Sequence, residues 1–279
     1  MKITCWGARG SIAVSGKHYV KYGGDTTCME VRSKNNDIII LDAGTGMRRL
    51  GNKLIADNEH SFSVLFTHAH WDHLMGFPFF KPIYLKGTKI NLYGCPYAQE
   101  SVAAMIGKSM VAPYFPVDFL QLQAEFTSQS VCNDVFQIGP VTITPIALNH
   151  PNMGLGYKFT EDGKSFVFLT DNELAHKHHG GLDYDNYLRF SEGADLLIHD
   201  AEYTPEQYTL TKGWGHSTYA DALRLAMDAG AKQFGLFHHN QDRTDAAQDE
   251  IVDDCRRIAR GRKVKLKCFA LEPDMEITL

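Results

Sequence analysis

The chain has 279 residues with 44% hydrophobic and 22% charged side chains, a composition that supports a large core and excludes a disordered or fibrous protein. Its formal net charge of −5 disfavours broad, sequence-independent binding to nucleic acid, because such binding needs clustered lysine and arginine. No segment approaches the run of about 18 to 20 apolar residues that a membrane span needs, so no membrane partner is expected.

Short runs rich in β-branched and apolar residues predict strands along the whole chain. In chain order these runs cover residues 2–7, 28–33, 37–44, 62–68, 89–94, 141–148, 194–203 and 233–240. A hairpin is predicted over residues 154–171, where Asp162 and Gly163 form a tight turn between two apolar runs. Helices are predicted over residues 45–57, from about Tyr97 to Met110, and over residues 217–230 and 245–261. Ser217 is the predicted N-cap of the third helix.

No repeat, low-complexity tract or linker interrupts the chain, so a single domain over residues 1–279 is the simplest organisation. Strands with helices interleaved between them predict a layered α/β fold with mixed sheets. The cysteines are scattered without CxxC spacing, which is typical of reduced thiols in a cytoplasmic protein and not of a disulfide framework. They are Cys5, Cys28, Cys95, Cys132, Cys255 and Cys268.

The strongest chemical signal directly follows the apolar run that ends at residue 68. Four possible metal ligands stand within six residues there: His68, His70, Asp72 and His73. Imidazole nitrogens and carboxylate oxygens suit Zn²⁺, Mn²⁺ or Fe²⁺, and packing in a core does not require this composition. The segment therefore predicts a metal site in a loop after a strand.

This segment, His68-Ala69-His70-Trp71-Asp72-His73, resembles the HxHxDH signature of the metallo-β-lactamase superfamily. The resemblance implies a four-layer αββα sandwich of two mixed β-sheets flanked by helices. It also implies two divalent metal ions, for which Zn²⁺ is expected and Mn²⁺ or Fe²⁺ are alternatives. Two such ions lower the pKa of bound water and neutralise an anionic transition state, which suits phosphodiesters but also thioesters and lactams.

In that superfamily the remaining ligands lie at later strand ends, and this chain offers each of them in order. The implied ligands of one ion are His68, His70 and His150, and those of the other are Asp72, His73 and His238, with Asp171 bridging. His239 competes with His238 for the last place. His238 is preferred because it directly follows the apolar run FGLF.

A second motif, Gly215-His216-Ser217-Thr218, resembles one found in tRNase Z and the small phosphodiesterases related to it. In those proteins the histidine lies beside the scissile phosphate and pairs with a carboxylate from a preceding segment, here residues 199–202. The resemblance thus implies catalytic roles for His216, for Asp200, which would orient it, and for Asp72 in the metal site. Relatives usually carry glutamate where Asp200 stands, so Glu202 is an alternative partner, and His216 as a mere capping residue stays open.

The length of one interval narrows the substrate. Enzymes that process tRNA carry a long arm between the third ligand histidine and the bridging aspartate, whereas only residues 151–170 lie there in this chain. The segments CWGARGS, YGGDTTCMEVR and WDHLMGFPFFKPIY resemble bacterial cyclic-nucleotide or cyclic-ribose phosphodiesterases. A small or cyclic phosphodiester is therefore the predicted substrate, and a nucleic-acid polymer is not expected. The alternatives are a tRNA 3′-processing endonuclease without the arm and a glyoxalase II-like thioester hydrolase, in which His216 would have no role.

Other features carry secondary predictions. Arg9 and Ser11 stand in a glycine-rich turn and are predicted to contact the substrate phosphate, although an ordinary turn explains them equally well. The aromatic residues Phe77, Phe79, Phe80 and Tyr84 are predicted to form the contact face of a homodimer, with the lining of a base pocket as the alternative. His176, His178 and His179 are expected to lie in a solvated loop, with a third metal site as the alternative.

Overall fold

The computed structural model of the protein describes residues 1–96 and 101–279, which form two seven-stranded sheets. The first sheet contains, from edge to edge, β14 (Glu276–Thr278), β1 (Lys2–Gly7), β2 (Cys28–Arg32), β3 (Ile38–Leu41), β4 (Ser61–Leu65), β5 (Lys89–Gly94) and β6 (Glu125–Ser130). The second contains β13 (Lys267–Ala270), β12 (Gln233–Phe237), β11 (Leu196–Asp200), β10 (Lys164–Leu169), β9 (Leu155–Glu161), β8 (Val141–Ala147) and β7 (Phe136–Ile138). Both are mixed, because β3 to β6 and β10 to β13 pair in parallel while the other neighbours are antiparallel.

Seven α-helices accompany the sheets in the described part of the chain. They are α1 (Met47–Ala56), α2 (Trp71–Leu74), α3 (Val102–Ser109), α4 (Tyr184–Ser191), α5 (Pro205–Thr211), α6 (Tyr219–Asp228) and α7 (Asp245–Gly261). Short 3-10 helices lie at Phe77–Phe79, Lys81–Tyr84 and Phe119–Gln121. Among the described residues, no helix is long and apolar enough to cross a membrane.

Alternation of side chains along the strands produces the four layers. In β10, Phe166 and Phe168 point between the two sheets, while Val167 and Leu169 point outward to the core shared with α4, α6 and α7. The strands of the first sheet likewise divide between the inter-sheet core and a third core with α1 and α3. Successive strand residues face opposite sides, so a continuously apolar strand is buried on both. The predicted αββα architecture is confirmed.

Every predicted strand is present, but several boundaries and one cap differ. The helix predicted from about Tyr97 to Met110 is observed at Val102–Ser109, and residues 97–100 lie outside the described residues. Ser217 is not the N-cap of α6, because its hydroxyl donates to the carbonyl of Asn172 instead. Thr218 caps the helix by accepting a hydrogen bond from the backbone N–H of Asp221.

The aromatic segment after the HxHxDH motif is mainly core. Phe77 and Phe80 are fully buried with α1 and the first sheet, and the half-buried Tyr84 donates its hydroxyl hydrogen bond to the carbonyl of Pro78. Phe79 is the exposed member, at 56%. The prediction that all four form a contact face is wrong, since the burial of two phenyl rings is already satisfied within the chain. The homodimer itself stays a prediction.

The prediction that all cysteines are reduced is wrong for one pair. Cys95, directly after β5, forms a disulfide with Cys132, which lies just beyond β6. The parallel pairing of these two strands brings their ends together, although the two cysteines are 37 positions apart in sequence. The other four, Cys5, Cys28, Cys255 and Cys268, are free and buried.

We expect a thiol reagent to modify four cysteines per chain after denaturation without reductant, and six after reduction. Replacing both Cys95 and Cys132 by serine should lower the free energy of unfolding by about 2 to 4 kcal/mol, because the unfolded chain regains the freedom that the bridge removes. Thiol counting by mass spectrometry and denaturant titration measure the two effects. Six reactive thiols in the oxidised protein would disprove the bridge.

Candidate metal and catalytic site

The site is built where strands of both sheets end. Asp42 follows β3, Asp171 follows β10 and His238 follows β12. These three residues have positive φ angles of 59°, 54° and 56°, a left-handed conformation that residues with a side chain rarely adopt. Such backbone strain is concentrated at functional sites, where it aims a side chain that an extended strand would direct elsewhere.

One group of side chains joins the HxHxDH loop to the segment after β8. Its members are His68, His70, His150 and Asp171, whose ligand atoms all lie within 4.8 Å of one another. His150 Nε2 lies 3.1 Å from His70 Nδ1, and His68 Nε2 lies 3.5 Å from Asp171 Oδ2. Three imidazoles facing one carboxylate form a donor set typical of a divalent transition metal.

A second group shares Asp171 with the first and contains Asp72, His73 and His238. His238 Nε2 lies 3.1 Å from Asp72 Oδ2 and 3.4 Å from Asp171 Oδ1. His73 Nε2 lies 3.3 Å from both of the same oxygens. The two oxygens of Asp171 therefore face different groups, Oδ2 the first and Oδ1 the second, which is the arrangement that a bridging carboxylate needs.

The donor atoms fit two metal ions. His68 Nε2 and His73 Nε2 are buried and have no hydrogen-bond partner, a state that is costly for a polar atom unless another ligand satisfies it. Both nitrogens point toward Asp171. A divalent ion in each group would take up these unused lone pairs, so the residues present fit a two-metal centre.

The electrostatics of the two groups favour cations. Burial lowers the pKa of His150 to about 3, and burial together with His73 holds the pKa of His68 well below its ordinary value. Such imidazoles are neutral and keep a lone pair for a metal. Burial raises the pKa of Asp171, but His238, His73 and His68 outweigh it and hold that pKa well below the usual range. The carboxylate therefore stays ionised and attracts positive charge.

Three histidines of the two candidate metal groups are oriented through their second ring nitrogen. His73 Nδ1 donates to Asp42 Oδ2 at 2.8 Å, and His238 Nδ1 donates to Glu202 Oε2 at 2.9 Å. His150 Nδ1 donates to the carbonyl of Gly215 at 2.9 Å. These bonds fix which nitrogen faces the site. Sequence reasoning missed Asp42, although it follows the apolar strand IIIL just as Asp171 and His238 follow theirs.

We expect Asp42→Asn to weaken metal binding by about 10- to 100-fold, because His73 would lose the carboxylate that fixes its tautomer and raises its basicity. Competition with a chromogenic chelator measures the affinity. Asp37→Asn is the matched control, since Asp37 lies before the same strand and bonds to Ser33 away from the site. Equal affinities of Asp42→Asn and the wild type would contradict this role of Asp42.

His216 lies beside the two candidate metal groups and is held by carboxylates. Its Nδ1 donates to Asp200 Oδ2 at 3.0 Å and lies 3.4 Å from Glu202 Oε2, while its ring stacks on His238 with centroids 4.6 Å apart. Burial lowers the pKa of His216, but Glu202 and Asp200 outweigh it and raise the pKa to about 9. The structure thus brings His216 and Asp200 together, while Glu202 bonds to His238.

Several other residues named from the sequence lie elsewhere. The guanidinium of Arg9 is buried and donates to the carbonyls of Gly23, Asn240 and Arg243, so the expected phosphate contact is replaced by a structural role. His239 Nε2 donates to the carbonyl of Leu271, and burial lowers the His239 pKa to about 3. His238, not His239, is therefore the member of the metal groups.

The histidine-rich loop after Asp171 borders solvent, as expected, and is also anchored by a side-chain hydrogen bond. His178 Nε2 donates to Glu173 Oε2 at 2.7 Å, and the same buried carboxylate accepts hydrogen bonds from Tyr208 and the backbone of Gly215. In the described part of the chain, no candidate metal group includes His176, His178 or His179. Glu173, which the sequence did not single out, connects this loop to the segment that carries His216.

A cavity of about 240 Å³ opens directly onto the two metal groups. It is lined by Ser11, His70, Trp71, Asp72, Asp171, His216 and His238. Ser11 borders the cavity, but its backbone N–H, which was expected to contact a phosphate, donates to Asp72 Oδ2 at 2.9 Å. Residues of the candidate metal groups and His216 can thus contact one molecule bound there.

Comparisons with known proteins agree with the superfamily resemblance of the HxHxDH segment. The model of the family described as “Beta-lactamase superfamily domain” matches residues 37–239. A ribonuclease Z of Haloarcula marismortui is 23% identical, and the alignment covers 95% of this chain and 94% of that protein. The metallo-beta-lactamase fold protein YhfI from Bacillus subtilis superposes with a TM-score of 0.71 at 18% identity, covering 99% and 98% of the two chains. A diphosphatase from the PhnP family gives 0.68 at 17% identity, with 100% and 97% covered.

Proposed function

The chain belongs to the β-lactamase superfamily, and from the geometry of its site we propose that it is a two-metal phosphodiesterase that hydrolyses a small or cyclic nucleotide-type phosphodiester. His216 carries this proposal, because it lines the same cavity as the metal ligands and is held by Asp200 at 3.0 Å. A thioester hydrolase of this fold has no need of such a histidine, whereas a departing alkoxide of a phosphodiester needs a proton.

The proposed roles follow from which atoms remain available. When bound, two divalent ions supply Lewis-acid stabilisation of the anionic transition state and lower the pKa of bound water. His216 uses Nδ1 for Asp200, which leaves Nε2 to donate a proton to the leaving oxygen. Asp171, between the two histidine groups, positions both halves of the centre.

Zinc is the proposed resident metal. Five histidine nitrogens and two carboxylates form the two groups, and histidine-rich sites of this kind are those that zinc commonly occupies. Manganese and iron share the same ligand preferences, so the choice is made by measuring the metal content of protein purified without added metal.

The size of the proposed substrate rests on the cavity and on one short interval. After His150 the chain forms a turn and then the β9–β10 hairpin, which ends two residues before Asp171. No arm that could grip a folded RNA extends from residues 151–170, and the cavity of about 240 Å³ suits a small molecule. The negative net charge agrees with a substrate held by metals and not by a basic surface.

Cleavage of an RNA 3′ extension is the second candidate function. It is favoured by the relatives named ribonuclease Z, one of which aligns over nearly the whole chain. The chemistry at phosphorus would be the same in both candidates, so only the substrate distinguishes them. A tRNA precursor with a 3′ extension and a panel of cyclic nucleotides, offered to the same metal-loaded protein, separates the two.

We expect the purified protein to hydrolyse bis(p-nitrophenyl) phosphate, to lose that activity on chelation, and to regain it with Zn²⁺ or Mn²⁺. The reason is that removing the metal removes the Lewis-acid stabilisation of the anionic transition state that the bound ions would supply. Release of p-nitrophenolate and metal analysis of the same samples check this. Two ions bound without activity toward any phosphodiester, together with hydrolysis of a glutathione thioester, would favour the thioester branch instead.

A further inference from the structure

A second cavity lies beside the metal site and has a different chemical character. Its volume is about 290 Å³, and it is lined by Ala69, Trp71, Leu74, Met105, Lys108 and Ser109. The lining comes from the HxHxDH loop with α2 on one side and from α3 on the other. Apart from Lys108 and Ser109, these side chains are apolar, so the cavity suits a hydrophobic group.

Trp71 joins this cavity to the catalytic one, because it lines both. It stands between two members of the metal groups, His70 and Asp72, yet 69% of its surface is exposed. Its neighbours in sequence are buried or half-buried, and an indole is among the most unfavourable side chains to leave in water. A large exposed aromatic at the edge of an active site is typical of a surface that a ligand covers.

The volumes of the two cavities also favour a single ligand that occupies both. Each cavity has a volume near the lower end of the range for small-molecule sites, about 300 Å³, and the two together offer a nucleotide more room than either alone. Such a ligand would present an anion to the metal ligands and a flat apolar group to the indole. Lys108 adds a cation to the lining on the α3 side.

We propose that the cavity formed by Trp71, Leu74 and Met105 is a nucleobase subsite, in which the base of the substrate stacks on the Trp71 indole. This inference rests on the proposed function, because the phosphate that places the base is held at the metal site. Stacking on an aromatic side chain tolerates any base, since every base has a π-face. The subsite thus selects nucleotidyl esters over esters of simple alcohols without reading which base is present.

The test compares two phosphate monoesters that differ only in the base, AMP and ribose 5-phosphate, binding to the metal-loaded protein in a calorimeter. We expect AMP to bind about 5- to 100-fold more tightly than ribose 5-phosphate to the wild type. Trp71→Ala should remove most of that ratio and leave the affinity for ribose 5-phosphate unchanged. Trp71→Phe should keep part of it, and Leu210→Ala, which removes an exposed apolar side chain on α5, should keep all of it.

Metal content is measured for each variant, because Trp71 lies between metal-group residues. If Trp71→Ala loses metal, Met105→Ala takes its place, since Met105 lies on α3 and the same loss of ratio is expected. Equal affinities of the two esters for the wild type, or an unchanged ratio in Trp71→Ala and Met105→Ala, would overturn the subsite while leaving the phosphodiesterase proposal intact. A wild-type dimer that dissociates in Trp71→Ala with the ratio unchanged would assign the indole to a subunit interface. Binding of neither ester, with two metals present, would reject both proposals.

Discussion

His216→Ala is expected to lower the rate of phosphodiester hydrolysis by about 10² to 10⁴ while the protein keeps its metal ions. The imidazole lines the catalytic cavity and belongs to neither of the two candidate metal groups that share Asp171. Removing it therefore removes the proton donor for the leaving oxygen and not the centre itself. Steady-state kinetics and metal analysis of the same preparation check the two halves of this prediction.

Two further measurements separate a catalytic from a structural effect of His216. A substrate whose leaving group is p-nitrophenolate needs little protonation, so His216→Ala should impair it less than an alkyl ester with the same phosphate. Asp200→Asn should reproduce part of the loss, because Asp200 orients the ring through Nδ1. His60→Ala, at an exposed position, is the control. If His216→Ala lost bound metal in proportion to its activity, the role of His216 as proton donor would be contradicted.

The fold was predictable from the sequence because its central strands are apolar on both faces. Runs such as IIIL and SFVFL pack against the other sheet on one side and helices on the other, so they stand out without an alignment. Strand β6, EFTSQS, was missed because it is polar and mostly exposed at a sheet edge. The short strands β7, β13 and β14 also escaped, since three or four residues carry too little periodicity.

The residues of the two candidate metal groups could be named because they match, in order, the pattern of the superfamily that the family match confirms, and their role as ligands stays a prediction. Their orienting partners could not be named. Gly215 acts through its main-chain carbonyl, which leaves no mark in the sequence, and Asp42 lies 31 positions from the histidine that it orients. The predicted phosphate contact of Arg9 was wrong for the same reason, because its carbonyl partners at Asn240 and Arg243 are more than two hundred residues away in the sequence.

The disulfide is a further contact between distant residues that the sequence does not reveal. Cys95 and Cys132 carry no spacing signal, and only the parallel pairing of β5 with β6 brings them together. Contacts that depend on which strands become neighbours are set by the whole chain, whereas a motif in a single loop is set locally. The HxHxDH segment is a motif of the second kind.

Asp171→Ala and Asp72→Ala are expected to differ in the number of ions lost. Asp171 faces both groups through separate oxygens, so its removal should reduce the metal content from about two ions per chain to less than one and abolish measurable hydrolysis. Asp72 belongs to the second group alone, so Asp72→Ala should keep about one ion, held by His68, His70 and His150.

Elemental analysis of protein purified in parallel measures these stoichiometries, and circular dichroism checks that each variant is folded. Asp162→Ala is the control, because Asp162 is an exposed carboxylate in the β9–β10 turn that pairs with Lys34. Removing Asp171 deletes a buried charge that several imidazoles face, so those imidazoles lose the counter-charge that holds a cation among them. Equal metal content in Asp171→Ala and Asp72→Ala would mean that Asp171 does not bridge, and the two groups would then be independent sites.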